Sequence, residues 1–403
     1  MRRFFIQEQQ QKLDLDGPGD PNSLNYAIGV FITASMIILF GLTMLYSTSS
    51  GMAGSTYFVK QLMWAGVGLV CGMGIFIVGY KKLSEYSMIF IAISAVLLLI
   101  ADFCFPPING AYRWIKLPGI GNIQPSEFAK LAVCVFLAKY CAEKMRYLNK
   151  LSVFKGIVPA VLVTGVVMLL ILKGKDLGTT SLIAMVSFLI FFAAGVRLAF
   201  ILLPLLIVIP SGIIFIKHFD PMRWSRMTTF MNPELYQKDD GYQLWNSMLA
   251  LGSGYWQGMG FMESRMKAQY LPEAHTDFIL AIVGEELGFI CLALIIVAYL
   301  VFTFFGIKIS LGSNNKQGML LGFGITSIIA LQAMINIGVV SGGFPTKGMP
   351  APFISYGGSN LVMCLMGVGL LVSIALETSY PGLNKEIIAE AKSKLMKLLS
   401  YLK

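Results

Sequence analysis

YLPEAHTDFILAIVGEELGFICLALIIVAYLVF, residues 270–302, opens as a polar run and becomes a hydrocarbon-soluble one. From Phe278 onward only Glu285 and Glu286 interrupt the apolar residues. The run is long enough to cross a hydrocarbon core of about 30 Å, which takes about 20 residues in a helix. The rest of the chain repeats the pattern. Of 403 residues 56% are hydrophobic and 13% charged, with a mean hydropathy of +0.72. A soluble domain carries roughly 25% charge, so this chain has too little polar surface to cover a globule in water. The fold class is an all-α polytopic membrane protein.

Working outward from that stretch, hydropathy predicts ten spans. Seven precede it, near 26–47, 60–80, 86–105, 125–142, 154–173, 178–196 and 198–217. Three follow a long polar stretch, near 277–306, 317–340 and 359–378. The fourth is weak because Glu127, Lys130 and Lys139 fall inside it. With the N-terminus inside, the cytoplasmic side collects Arg2, Arg3, Lys12, Lys81, Lys82, Lys144, Arg146, Lys150, Lys155, Arg197, Lys308, Lys316 and five tail lysines. Short outer loops collect Arg113, Lys116, Lys173, Lys175 and Lys347. That asymmetry fits the positive-inside rule and puts the large loop at 218–276, between the seventh and eighth spans, outside the membrane.

The net charge of +10 is thereby explained by topology, and nucleic acid is not an expected partner. Residues 1–25 lack an apolar stretch behind Arg2 and Arg3, so they read as a disordered cytoplasmic tail and not a signal peptide. The spanning domain covers 26–378. In 379–403, Ile387, Ile388, Ala391, Leu395, Leu398, Leu399 and Leu402 share a helical face opposite lysines. Such a basic amphipathic helix suits an anionic cytoplasmic leaflet. The six cysteines lie in or beside apolar segments with no CxxC or Cys/His cluster, which argues against disulfides and zinc.

An ionisable residue in a membrane is costly and marks function by default. Four polar places stand out, all on the outer side. The first runs from Asn109 through Arg113 to Ile123-Gln-Pro-Ser-Glu127-Phe-Ala-Lys130, where Glu127 and Lys130 share a helix face. The second is Lys173-Gly-Lys-Asp176, whose aspartate could cap the next helix. The third is Glu273-Ala-His275-Thr-Asp277, followed by Glu285 roughly 12 Å further along the helix. The fourth, Phe344 to Asn360, holds three prolines and three glycines and presents Lys347, Ser355, Tyr356 and Ser359. Irregular backbone at that depth survives only when it is buried in protein or lines a polar cavity. Together these places imply one outward-facing groove of carboxylates and cations.

At these motifs the sequence closely resembles the SEDS family, the FtsW, RodA and SpoVE proteins of bacterial cell-wall synthesis. The stretches are GAYRWI with IQPSEFAKL, DLGTT, GYQLWNSMLALGSGYWQGMG, YLPEAHTDFILAIVGEELG and PTKGMPAPFISYGGSN. GEELG and PTKG resemble the division branch, FtsW. One departure is Lys175, which stands where the family usually has a proline before the aspartate.

The resemblance implies a peptidoglycan glycosyltransferase acting on lipid II, a disaccharide-pentapeptide on undecaprenyl diphosphate. It implies a class B penicillin-binding protein and other division proteins as partners, and the septal inner membrane as the location. The family's essential aspartate maps onto Asp277. In that chemistry Asp277 is the general base for the attacking sugar hydroxyl. Arg113, Lys130, Lys267 and Lys347 are the candidate cations for the leaving diphosphate, beside Glu127, Asp176, His275, Ser355, Tyr356 and Ser359. Glu127 either orients Lys130 or holds a divalent cation such as Mg2+ or Mn2+; no organic cofactor is expected. An α-linked donor giving a β-1,4 product means inversion in one displacement, and a covalent two-carboxylate route would mean retention. The rival readings are a lipid II flippase and a non-catalytic division scaffold.

Overall fold

The computed structural model describes residues 19–49, 56–108, 110–117, 121–150, 156–239 and 241–382. The N-terminal tail up to residue 18, Asn109, Lys155 and the basic segment 383–403 lie outside the described residues. Helices occupy each of the ten stretches that hydropathy marked. They are α1 (Ser23–Ser49), α2 (Thr56–Val78), α4 (Ser87–Cys104), α5 (Pro125–Lys144), α6 (Val158–Lys173), α7 (Leu177–Ala193), α8 (Leu198–Phe219), α12 (Ile279–Gly312), α13 (Lys316–Val340) and α14 (Gly358–Ser379). Six of them, α1, α2, α4, α12, α13 and α14, are long and apolar enough to cross a membrane on their own. The short helix α3 (Tyr80–Glu85) follows Gly79, whose φ of 83° turns the chain after α2.

One expected boundary moves, and one connection is more ordered than the sequence suggests. The first helix starts at Ser23, not 26, because Asp20 is already tied down: its backbone N–H donates to Gly312 O at 3.0 Å, and its carboxylate accepts from the Asn22 N–H at 2.8 Å. The Gly/Pro-rich connection between α4 and α5 also contains a small antiparallel pair, β1 (Ile115–Leu117) and β2 (Gly121–Ile123).

The centre of the molecule is α14, which packs along α2, with α12 bounded by α1 and α13. Small residues let α2 and α14 touch: a methyl group on Gly369 would stand 2.4 Å from Gly72 O. Helix α5 is buried almost throughout. Its carboxylate and ammonium groups can thus sit at membrane depth, since they face protein and each other.

The large loop is folded onto the bundle. It forms α9 (Pro221–Thr229), α10 (Tyr242–Ser253) and α11 (Met266–Gln269), and α10 packs against α12. At Gly288, with φ 75° and ψ −179°, α12 breaks. Residues 255–260 fill the break: Met259 N donates to Glu285 O at 2.9 Å and Gly260 N to Glu286 O at 3.0 Å. In return Phe289 N donates to Tyr255 O at 2.8 Å and Ile290 N to Trp256 O at 3.2 Å. Four backbone groups that a kink would orphan are satisfied by one loop.

Candidate active site

Four inter-helix connections leave the same end of the antiparallel bundle and meet. The α4–α5 connection brings Gln124, whose backbone N–H donates to Ser359 Oγ at 3.0 Å. Gln124 Nε2 and Ser126 Oγ both donate to Asp176 Oδ2 at 3.0 Å. Asp176 Oδ1 accepts from Thr179 N at 3.1 Å, capping α7. Asp176 is therefore both a helix cap and the hub joining two connections. Lys175 adopts φ 63°, and the Arg113 guanidinium donates to its carbonyl. The Arg113 Nε–H is buried with no partner among the described residues. It lies in a small cavity lined also by Asp102, Tyr112, Ser126 and Asp176.

Asp277 sits in the turn before α12. Its carbonyl accepts from Asn336 Nδ2 at 2.8 Å, and the same amide nitrogen donates to Met349 O at 2.7 Å. One side chain thereby clips the Asp277 turn to the 344–360 loop. Asp277 keeps part of its surface open, and its carboxylate accepts no hydrogen bond from any described residue. Burial pushes that carboxyl up to about 7; Glu273 and Asp176 add to the rise and Arg113 opposes it. Arg113, Asp176, Glu273 and Asp277 thus share one electrostatic site.

Lys347 reaches Ser181 Oγ on α7 at 3.3 Å, and burial holds its ammonium below its ordinary value. Ser355 Oγ accepts from Ala351 N at 2.8 Å, bracing its own loop. Tyr356 N donates to His275 O at 2.9 Å, linking the loop to the Asp277 turn. Burial lowers His275, with Glu273 pulling the other way.

Two expected site groups are engaged internally. Lys130 pairs with Glu127 at 2.8 Å, both about 4% exposed, and donates to Gln332 Oε1 at 2.8 Å. Gln332 Nε2 continues to Pro350 O at 2.8 Å, while Asn360 Nδ2 donates to Glu127 Oε2 at 2.9 Å. This pair supports the loop from beneath. Lys267 does not join the Asp277 group. Its ammonium lies 2.7 Å from Glu286 Oε1, 3.0 Å from Ser47 Oγ and 2.8 Å from Met262 O. Glu285 accepts from Ser264 Oγ and from Arg265 N. The two glutamates of α12 hold the large loop down.

Several groups were missed from sequence. Gln61, 2% exposed on α2, donates to Ser355 O at 3.0 Å and accepts from Gly357 N at 3.2 Å. A lone amide in an apolar span was the signal for it. Tyr57 stacks on His275 with centroids 4.5 Å apart; a tyrosine at a span end reads as an interface anchor, so its sequence gave no separate signal. Among the described residues no three His, Cys, Asp or Glu side chains converge to hold a metal. Glu127 is engaged with Lys130 and Asn360, so among the described residues it does not stand as a free ligand.

This fold and side-chain cluster define a multi-pass membrane protein with a carboxylate-and-cation site at one end of its helix bundle. The chain belongs to the FtsW/RodA/SpoVE family, described as cell cycle proteins, whose profile matches residues 25–380. Among its relatives is a probable peptidoglycan glycosyltransferase FtsW of Trichlorobacter lovleyi, 36% identical over 358 residues, covering 87% of this chain and 93% of the relative. Stage V sporulation protein E of Bacillus subtilis is 39% identical over 360 residues, covering 87% and 96%. The fold is similar to a chain from a peptidoglycan synthase complex described as coordinating polymerization and crosslinking: TM-score 0.73, 23% identity, covering 87% of this chain and 98% of that one. It is also similar to the rod shape determining protein RodA of Thermus thermophilus, with TM-score 0.64, 22% identity and coverage of 87% and 96%.

Proposed function

We propose that this chain polymerises lipid II into β-1,4 glycan strands at the outer face of the cytoplasmic membrane. As a member of a family with relatives named peptidoglycan glycosyltransferase, it is an enzyme of that class. The observation that carries the reading is Asp277: a part-open carboxylate, free of hydrogen bonds from described residues and raised to about 7. A general base works best with a pKa near the working pH.

In this reading the acceptor hydroxyl oxygen forms a bond to the donor's anomeric carbon while the bond to the diphosphate breaks. The electron pair leaves with the diphosphate, and the hydroxyl proton passes to Asp277. A single displacement inverts the α-linkage to β. Lys347 and Arg113 supply positive charge where the leaving group gains negative charge. Tyr356 and the Ser355-to-Ser359 backbone supply further donors. A site at the end of a membrane-spanning bundle suits a substrate whose polyprenyl tail stays in lipid.

Ten crossings, cytoplasmic termini, an outward groove and a septal location complete the proposal. A class B penicillin-binding protein is the proposed partner, supported by the likeness to a synthase-complex chain. The test is polymerisation of labelled lipid II by purified protein, with and without that partner. Long strands from wild type and none from Asp277→Ala are expected. Full activity in the variant would remove Asp277 as base. No strands from either protein would turn attention to lipid translocation or a scaffold role.

A further inference from the structure

Tyr57, His275 and Tyr356 come from three separate segments and form one aromatic cluster beside Asp277. The Tyr57 and His275 rings are stacked at 4.5 Å with 27° between their planes. Tyr356 meets Tyr57 edge-on at 4.9 Å and lies 5.8 Å from His275 at 49°. The cluster is held in place by backbone, through Tyr356 N and His275 O. Its rings are therefore not needed to tie the loop to the Asp277 turn.

Two features separate this cluster from ordinary packing. Each ring has a polar edge, yet neither tyrosine hydroxyl nor either imidazole nitrogen has a hydrogen-bond partner among the described residues. All three residues are half-buried, not exposed. None of these polar atoms is among the buried unpaired ones of the described residues, so they reach the surface, where a ligand can meet them; a cluster serving only as packing could be made of phenylalanine. Burial lowers the His275 imidazole below its ordinary value, and each ring carries a polar edge that can donate or accept beside its π face. A pyranose ring has the matching surface: axial C–H groups on a face, hydroxyl and acetamido groups on the edge.

We propose that Tyr57, with His275 and Tyr356, is the platform that seats the amino-sugar ring of the acceptor, presenting its hydroxyl to Asp277 two residues beyond His275. This rests on the glycosyltransferase reading and adds a specificity-determining residue, Tyr57, and a subsite for the neutral sugar apart from the diphosphate. Tyr57 is a positioning residue: it sets where the hydroxyl lies, and the proton transfer belongs to Asp277.

The experiment measures binding of two probes, lipid II and sugar-free undecaprenyl diphosphate, to full-length protein carrying Asp277→Asn, so that no turnover intervenes. Tyr57→Leu should weaken lipid II about tenfold, the size of one aromatic contact, and leave undecaprenyl diphosphate within about twofold. Tyr57→Phe, which keeps the ring and loses the hydroxyl, should weaken lipid II about threefold, the scale of one hydrogen bond. With Asp277 intact, Tyr57→Leu should raise KM and also lower kcat several-fold, because the hydroxyl that Tyr57 seats is then less well placed before Asp277. Equal weakening of both probes, or unchanged lipid II affinity, overturns the platform. If Tyr57→Leu does not fold, unchanged affinity in Tyr57→Phe does the same. Failure of the base reading is separate, since it would appear as glycan strands made by Asp277→Asn.

Discussion

Gly348 lies directly against Asp277: a methyl carbon built on Gly348 would stand 3.1 Å from Asp277 Oδ2. The PTKG stretch of the 344–360 loop is thus one wall of the carboxylate's chamber. Its glycine is required by space, since no positive φ is recorded there. An added methyl group forces the carboxylate or the loop to shift by a few tenths of an ångström, and catalysis by a positioned base is sensitive to shifts of that order. Gly348→Ala should lower kcat about tenfold or more while thermal stability in detergent stays within about 1 kcal/mol, typical of an exposed site without a packing defect. Wild-type turnover in a folded Gly348→Ala protein would show that this wall does not define the base.

The elevated carboxyl of Asp277 gives a pH signature. A base must be ionised to accept a proton, so kcat/KM should rise through about pH 7 and be lost below it. Glu273 raises Asp277 and Arg113 lowers it, so their removal must act in opposite directions. Glu273→Gln should move the acidic limb to lower pH, and Arg113→Gln should move it higher. Parallel shifts in both variants, or an acidic limb insensitive to both, would detach the limb from Asp277.

The Lys267–Glu286 pair carries a stability prediction. Side-chain exposure is 9% for the lysine and 0% for the glutamate, and removing one partner of such a pair leaves a buried charge, costing about 3–5 kcal/mol. Lys267→Met should therefore lower the midpoint of thermal unfolding sharply and expose 254–267 to protease. The double variant Lys267→Met with Glu286→Leu should recover much of the loss. If Lys267→Met is as stable as wild type yet binds lipid II more weakly, the lysine serves substrate and not the loop.

The sequence was legible where it repeats a simple physical pattern. Apolar runs of spanning length located the helices, and ionisable groups in or beside those runs located Asp277, Asp176, Arg113 and the Glu127–Lys130 pair. It was opaque where the decisive partner is distant in the chain. GEELGFI reads as continuous helix, and nothing local to Gly288 announces that residues 255–260 fill a break there. Gly258 makes the same point from the other side: a methyl group on it would stand 2.2 Å from Glu286 O. Lys267 read as a cation awaiting a phosphate because Ser47, 220 positions away, and Glu286 were not visible as its neighbours. Tyr57 was unreadable because only the fold stacks it on His275.

Asp176 tests whether the hub is electrostatic, structural or both. Its carboxylate caps α7 through Thr179 N and takes the Gln124 and Ser126 donors at 3.0 Å each. Asp176→Ala removes the cap, worth about 1 kcal/mol, and leaves buried donors unpaired at about 1–3 kcal/mol each. The melting temperature should fall, and the β1–β2 connection should become susceptible to protease. Asp176→Asn is more discriminating, because asparagine caps a helix about as well as aspartate but carries no charge. Asp176→Asn can keep the cap but puts an NH2 donor where Gln124 and Ser126 donate, so it should lose part of the stability, less than Asp176→Ala. Because Asp176 is among the groups that raise Asp277, it should also move the acidic limb of kcat/KM to lower pH. If Asp176→Asn melts like wild type and its pH profile is unmoved, Asp176 is a cap alone. If Asp176→Ala is as stable and active as wild type, the junction of these two connections does not hold the groove together.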